Sequence, residues 1–437
     1  FVRLSINEQN SRGAQPYSFE NYVGAFNGEV YNHDEVREKH CIDIPSQCDT
    51  HVILPLFLKN KDIVLSSLEG FYSGVIYDKL QNQIFLLRDH IGKKPLFYGK
   101  SNDDYFITSE LKAVCQIDWF KQVPCGLSVI DLDFKNLKVL HKHTIPKYSD
   151  NLFDLLDEAV KKRLPLSNQK LGIFLSGGLD SSIIAALSQK YNNNIHYFIL
   201  GSGSGEDLKM ANFIVEKLKL NNTTIVALPK RDELKRLLQE IVYFTESYNP
   251  SVISNGFATY LLSKEARNQG VKVVLSGEGA DELFGGYHYG LDTKEWKLKQ
   301  ESLITDMHFT ELRRLDLSSM AHGIEVRCPF LDRKVRGFAE NLKSEDVFQS
   351  KMNKVILRKT FAHVLPSEIS FRKKTSLDVG SGIRQIVVEF LTQNNQSEKE
   401  ELYKIWRKVF PNRKVEKYFH SYPVFDSAIE KRGIKHI

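Results

Sequence analysis

At 437 residues the chain is too long for one ordinary hydrophobic core, and its length calls for two or three domains. With 42% apolar and 26% charged residues it reads as a soluble globular protein, and no run approaches the roughly 18–20 apolar residues of a membrane helix, so a membrane partner is not expected. The formal charge of +6 is spread along the chain, so no nucleic-acid partner is expected either.

The basic stretches Lys161-Lys162-Arg163, Arg372-Lys373-Lys374 and Lys431-Arg432 read first as solvated faces, and otherwise as lining for an anionic substrate. The five cysteines, Cys41, Cys48, Cys115, Cys125 and Cys328, form no CxxC pair and no metal spacing, as expected of reduced thiols in the cytoplasm. The opening residues carry no basic region followed by an apolar stretch, so no secretory leader is read there.

Up to about residue 148 the pattern is one of short strands and tight turns. Residues 22–26, 73–77 and 84–87 are apolar or alternating runs, and the polar break 78–82 suggests a hairpin between the last two. A helical stretch lies around 52–58. This predicts an antiparallel α+β domain over 1–148.

From Pro146 onward the grammar changes. Residues 151–164 place Leu152, Leu155, Leu156, Val160 and Leu164 at helical spacing. Strands at 171–175, 195–200, 224–228 and 271–275 then alternate with helices at 182–190, 208–218, up to 241, and around 258–267. That alternation predicts an open parallel α/β sheet over 149–437, with ligands at the carboxyl ends of its strands.

Two glycine-rich segments fall at such ends. In Ser176-Gly177-Gly178-Leu179-Asp180-Ser181-Ser182 the glycines let the backbone turn sharply, and the helix that follows offers free N–H groups and a positive dipole end to an anion. Ser181 and Ser182 can add hydroxyl donors or cap that helix. The lysine of a Walker loop is missing, and the nearby Gly201-Ser202-Gly203-Ser204-Gly205 lacks the third glycine of a dinucleotide fingerprint at the right spacing. The segment resembles the pyrophosphate loop of ATP pyrophosphatases, which form adenylates and release pyrophosphate.

The second segment, Ser276-Gly277-Glu278-Gly279-Ala280-Asp281-Glu282-Leu283-Phe284-Gly285-Gly286-Tyr287, looks like one found in asparagine synthetases. Further segments resemble the same family: 319–332 (SMAHGIEVRCPFLD) and Lys354-Val355-Ile356-Leu357-Arg358. In the first half, Arg3-Leu4-Ser5-Ile6, 13–16 (GAQP), 27–32 (NGEVYN), Cys48-Asp49-Thr50 and 88–92 (RDHIG) match its glutaminase domain in order. The resemblance covers nearly the whole chain and thins after about residue 380.

It implies a glutaminase domain of the N-terminal-nucleophile type, followed by an ATP-pyrophosphatase domain. The implied reaction is ATP-driven amidation of a carboxylate through an acyl-adenylate, with aspartate as default acceptor and glutamine or ammonia as nitrogen source. Ser176, Gly177, Gly178, Asp180 and Ser181 are then expected to cradle pyrophosphate, and Leu200, Ser276 and Gly277 to line the adenine site. Asp180 and Asp281 are expected to hold Mg²⁺ between them and the phosphates. Glu278 is expected to take a proton from the attacking ammonia, and Lys354 to face developing negative charge. Arg327 and Asp332 are expected to be structural. In the glutaminase domain, Arg3, Glu29 and Asp49 are expected to grip glutamine, with Asn27 and the Gly28 N–H as oxyanion hole, and a buried passage between the domains to carry ammonia. A homodimer stays open.

Two departures stand out. The family's opening Cys-Gly-Ile and Arg-Gly-Pro-Asp segments match nothing from Phe1 onward, and Cys48 is a poor replacement for the nucleophile. In 246–256 (ESYNPSVISNG) Ser254 stands where the family has an arginine that grips an amino-acid carboxylate, and a serine cannot supply that fork. Two alternatives follow: a ligase of the same family making an amide or lactam from another carboxylate, and a catalytically silent scaffold.

Overall fold

The computed structural model describes residues 4, 6–8, 10–166, 168–192, 194–201, 205–393 and 396–411. Two compact units account for them, Phe1–Ile145 and Pro146–Pro411.

The first unit is built on antiparallel pairing. Among the described residues, nine strands form two sheets: β1 (Tyr17–Phe19), β2 (Tyr22–Val30), β3 (Gly70–Asp78), β4 (Gln83–Arg88), β5 (Phe97–Ser101), β6 (Asp104–Thr108), β7 (Trp119–Gln122), β8 (Gly126–Ile130) and β9 (Leu137–His141). The larger sheet has the order β1-β2-β3-β4-β8-β9, and the smaller β6-β5-β7. The β3–β4 hairpin is closed by Asp78, whose carboxylate accepts from the N–H groups of Leu80 and Gln81, while Asn82 takes a left-handed φ of 52°. Side chains such as Phe26, Val30, Ile76 and Leu87 pack with Val52, Leu56 and Phe57 from the adjoining helical turns to form the core.

The second unit holds a five-stranded, fully parallel sheet of β10 (Leu171–Phe174), β11 (Ile195–Leu200), β12 (Thr223–Val226), β13 (Val273–Leu275) and β14 (Glu325–Arg327), in the order β12-β11-β10-β13-β14. β10 and β13 are buried along their whole length, as strands covered on both faces must be. The chain runs outward from β10 through β11 to β12, then returns to β10's other side as β13. The switch point therefore lies between the carboxyl ends of β10 and β13, where an open α/β sheet forms its ligand crevice.

Some boundaries differ from the expected ones for identifiable reasons. The helix expected around 258–267 spans Pro250–Asn268, because Asn249 caps it through Ser251 and Val252 N–H groups and Pro250 fits its first turn. The helix after the first glycine loop starts at Leu179 rather than 182, with Gly178 at the N-cap. Arg163 and Arg372, expected on solvated faces, are held by the carboxylates of Asp332 (2.9 Å) and Asp207 (2.6 Å) instead. Among the described residues, no helix is long and apolar enough to cross a membrane.

Candidate active site

Both glycine-rich segments meet at the switch point. After β10, Gly177 turns the chain with a φ of +69°. A Cβ there would lie 2.3 Å from Ala211 N, so only glycine lets the loop rest on the Glu206–Lys217 helix. The loop closes on itself: Ser176 Oγ and Ser181 Oγ lie 3.1 Å apart, and Gly178 N donates to Ser176 Oγ. Ser181 and Ser182 sit inside the helix, contrary to a capping role, and Gly178 has no side chain to cap with. The N–H groups of the first turn therefore receive no side-chain cap from Gly178, and they lie at the positive end of the helix dipole.

After β13, Gly277 presses against the same loop, where a Cβ would stand 2.8 Å from Asp180 Cβ and 2.9 Å from Ser181 N. The short Ala280–Phe284 helix follows, with Asp281 in its first turn and Gly286 folded onto the Asp281 carboxylate. Leu200 lies buried at the end of β11, beside β10. Ser276 donates its N–H to Arg327 O at 3.0 Å, and its hydroxyl accepts from Glu278 N.

Lys354 joins the two acids. Its ammonium donates to Asp180 at 2.7 and 2.8 Å and lies 2.6 Å from Asp281. The residue holds a left-handed φ of 54° at the start of the Val355–Phe361 helix, a conformation uncommon for a lysine. A second lysine, Lys374, lies 2.5 Å from Asp281 and 3.8 Å from Asp180. Burial works to raise the Asp281 carboxyl, but Lys354 and Lys374 outweigh it and hold it at about 2. Burial works to lower Lys374, and Asp281 and Asp180 outweigh it, so it stays firmly charged. Two carboxylates and two lysine side chains thus face one another at the mouth of the glycine loop.

Glu278 is turned toward Arg314, which donates to it at 2.8 Å. Around that pair, burial raises the carboxyls of Glu282 and Glu311, and neighbouring acids add to it. Tyr287 donates to Glu282 at 2.6 Å. Arg314 is thus a cation set among acids, of which Glu282 is fully buried and Glu278 and Glu311 partly so. Arg163 and Arg327 brace the sheet: Arg163 pairs with Asp332, and Arg327 donates to the Arg163 carbonyl at 3.0 Å. Ser254 is fully buried and donates to Asp378 at 2.7 Å.

Within the first unit, Asp49 accepts from Val30 N at 2.7 Å, beside Glu29, which accepts from Asn7 at 3.3 Å. Both carboxylates are buried. Asn27 reaches Ser109 Oγ at 3.4 Å. Gly28 has a φ of +120°, and a Cβ there would strike Phe71 O at 2.1 Å. Arg3 lies outside the described residues. Burial pushes the Cys48 thiol up, and Asp49 and Glu29 add to it, which disfavours a nucleophilic thiolate at that position.

Lys374, Arg314 and Arg372 were not singled out as site residues by the sequence. Both Lys374 and Arg372 fall in a basic stretch whose second reading, a lining for an anionic substrate, suits Lys374 but not Arg372, which is turned to Asp207. Arg314 carries no local signal, because its meaning depends on Glu278, 36 positions earlier.

A glycine loop at a parallel-sheet switch point, faced by paired carboxylates and lysines, defines a class of enzyme that handles nucleotide phosphates. The asparagine synthase family model matches residues 151–305 and 291–421, and a glutamine amidotransferase domain model matches 1–141. Asparagine synthetase B (glutamine-hydrolyzing) of Escherichia coli K12 is 31% identical over 417 residues, covering 87% of this chain and 74% of that protein. The asparagine synthetase (glutamine-hydrolyzing) of Homo sapiens is 28% identical, covering 84% and 74%. Among solved structures, an NMN synthetase from Francisella tularensis matches at 16% identity and a TM-score of 0.30, over 61% of this chain and 97% of that one. The chain belongs to the asparagine synthase family.

Proposed function

We propose that this enzyme, a carbon–nitrogen ligase of the asparagine synthetase type, converts aspartate to asparagine with ATP, taking nitrogen from glutamine and releasing AMP and pyrophosphate. The observation that carries this reading is the Asp180–Lys354–Asp281–Lys374 group at the mouth of the Ser176–Gly178 turn. A carboxylate resists ammonia because its leaving group would be oxide. Attack on the α-phosphate of ATP converts that oxygen into part of AMP, a good leaving group. The protein's task is to hold two anions together and to balance charge on the departing pyrophosphate.

In this reading Ser176, Gly177, Gly178 and Ser181 cradle pyrophosphate with the free N–H groups of the helix start. Lys354 and Lys374 neutralise its charge, and Leu200, Ser276 and Gly277 border the adenine. Asp180 and Asp281 supply hard oxygen ligands that converge on one point, now spanned by Lys354, and this suits Mg²⁺ shared with phosphate oxygens. Mg²⁺ would add charge neutralisation of the triphosphate. Glu278 accepts the proton of the attacking ammonia once Arg314 turns to the acceptor.

Residues 1–148 are assigned to the glutaminase domain, where Arg3, Glu29 and Asp49 bind glutamine and Asn27 with the Gly28 N–H stabilises the oxyanion. Residues 149–437 are assigned to the synthetase domain. A cytoplasmic location fits both the use of ATP and five free thiols. The intact glycine loop and Glu278 disfavour a silent scaffold. Because Ser254 commits its hydroxyl to Asp378, another group must hold the aspartate α-carboxylate. The test is pyrophosphate release with ATP, Mg²⁺ and ammonium or glutamine across a panel of acids. Release with asparagine formation, dependent on aspartate, supports the reading; release with another acid alone would move the acceptor elsewhere.

A further inference from the structure

Lys374 lies in an irregular segment between the Ser367–Ser370 and Leu377–Gly380 helices, yet its ammonium is set 2.5 Å from Asp281. A lysine on a loop loses side-chain entropy to be held that way, so the loop must itself be held. Two tethers do this. Arg358, one turn after Lys354, donates to the carbonyls of Ser370 at 2.5 Å and Arg372 at 3.1 Å, and so fixes the main chain. Arg372 extends its own guanidinium to Asp207, donating to Oδ1 at 2.6 Å, with both side chains almost fully buried.

Asp207 is the second residue of the Glu206–Lys217 helix. That helix also carries Ala211, one turn on, against which Gly177 of the pyrophosphate loop is packed with no room for a Cβ. On its other side the Asp207 carboxylate meets Gly380, where a Cβ would stand 2.0 Å from Oδ2. Asp207 Oδ2 has no hydrogen-bond partner among the described residues. A buried carboxylate with one oxygen unsatisfied is costly to keep unless its single strong bond serves a purpose.

We propose that Asp207 and Arg372 are a positioning pair for Lys374: one helix sets the anion-binding loop through Ala211 and the facing cation through Asp207. The pair touches no substrate; it acts through Lys374. The inference rests on the reading that Asp180, Asp281, Lys354 and Lys374 surround the pyrophosphate of ATP.

The test is calorimetric titration of the full-length protein with inorganic pyrophosphate and Mg²⁺, which needs no acceptor and no turnover. Asp207→Asn should weaken binding about tenfold in the native background, because a charge-assisted bond to the loop is lost. In a Lys374→Gln background the same change should cost less than about twofold, because the group being positioned is gone. Arg372→Gln, which removes the charged donor to Asp207, repeats the cycle should Asp207→Asn fail to fold. Equal weakening with and without Lys374 would overturn the pair as a positioning device, as would unchanged binding in Asp207→Asn. Absence of pyrophosphate binding by the unaltered protein would instead overturn the reading of the site, and the pair with it.

Discussion

Replacing Lys354 with methionine removes a buried ammonium that serves two acids at 2.6–2.8 Å while keeping most of the side chain's volume. Removing one partner of a buried ion pair typically costs about 3–5 kcal/mol. Lys374 remains 2.5 Å from Asp281, so the lower end applies, about 3 kcal/mol. For a unit of this size that corresponds to a fall in melting temperature of about 6–12 °C.

The pH dependence gives an independent check. Asp281 has its folded pKa depressed from 3.8 to about 2, so its stabilisation is present above about pH 4 and lost as pH falls through 2. By linkage it amounts to about 2 kcal/mol. Without Lys354 the depression shrinks, and the acid limb of the stability curve moves to higher pH. Scanning calorimetry carried from neutral pH down through about pH 2 should show both effects, and pyrophosphate release at neutral pH should fall by about a hundredfold or more. A variant that melts with the native protein at every pH would refute the assigned charge balance.

Four further outcomes are expected. Glu278→Gln should retain ATP binding by calorimetry while amide formation falls by about 10²–10⁴-fold, as for loss of a general base. Gly277→Ala forces a Cβ to within 2.8–2.9 Å of Asp180 and Ser181, so it should destabilise by about 1–3 kcal/mol and weaken ATP binding in the same preparation. Asp49→Asn should impair the glutamine-supported reaction and spare the ammonium-supported one, read as asparagine formed from each nitrogen source. Ser254→Ala leaves the buried Asp378 carboxylate one donor short and should cost about 1–3 kcal/mol in denaturant unfolding.

The sequence was most legible where chemistry is local. A strand, two glycines, an acid and two serines in order suggest an anion loop from their own neighbours alone, and the structure puts that segment at the sheet's switch point. Helix limits were harder wherever burial removes periodicity. The Pro250–Asn268 helix buries Val252, Ile253, Ser254, Gly256, Phe257 and Ala258 in close succession, so no single apolar stripe marks its first two turns. Strand β14 is three residues long and gives no pattern of its own.

Long-range partners were not legible at all. Lys374 looks like any lysine in a basic run, and only the fold brings it to Asp281, 93 positions earlier. Asp207 looks like an ordinary acid in a first helical turn until Arg372 is seen against it. Chemistry-bearing residues could be read from their own neighbours in sequence, whereas the residues that hold them in place could be read only from the fold.

The central claim is that the acceptor carboxylate attacks the α-phosphate of ATP, and oxygen labelling tests it most directly. Aspartate carrying ¹⁸O in its β-carboxylate, turned over with ATP and ammonium, should transfer one labelled oxygen to AMP for each asparagine formed. Label appearing in inorganic phosphate, or AMP formed without label, would contradict the acyl-adenylate route and with it the roles given to Asp180, Asp281, Lys354 and Lys374.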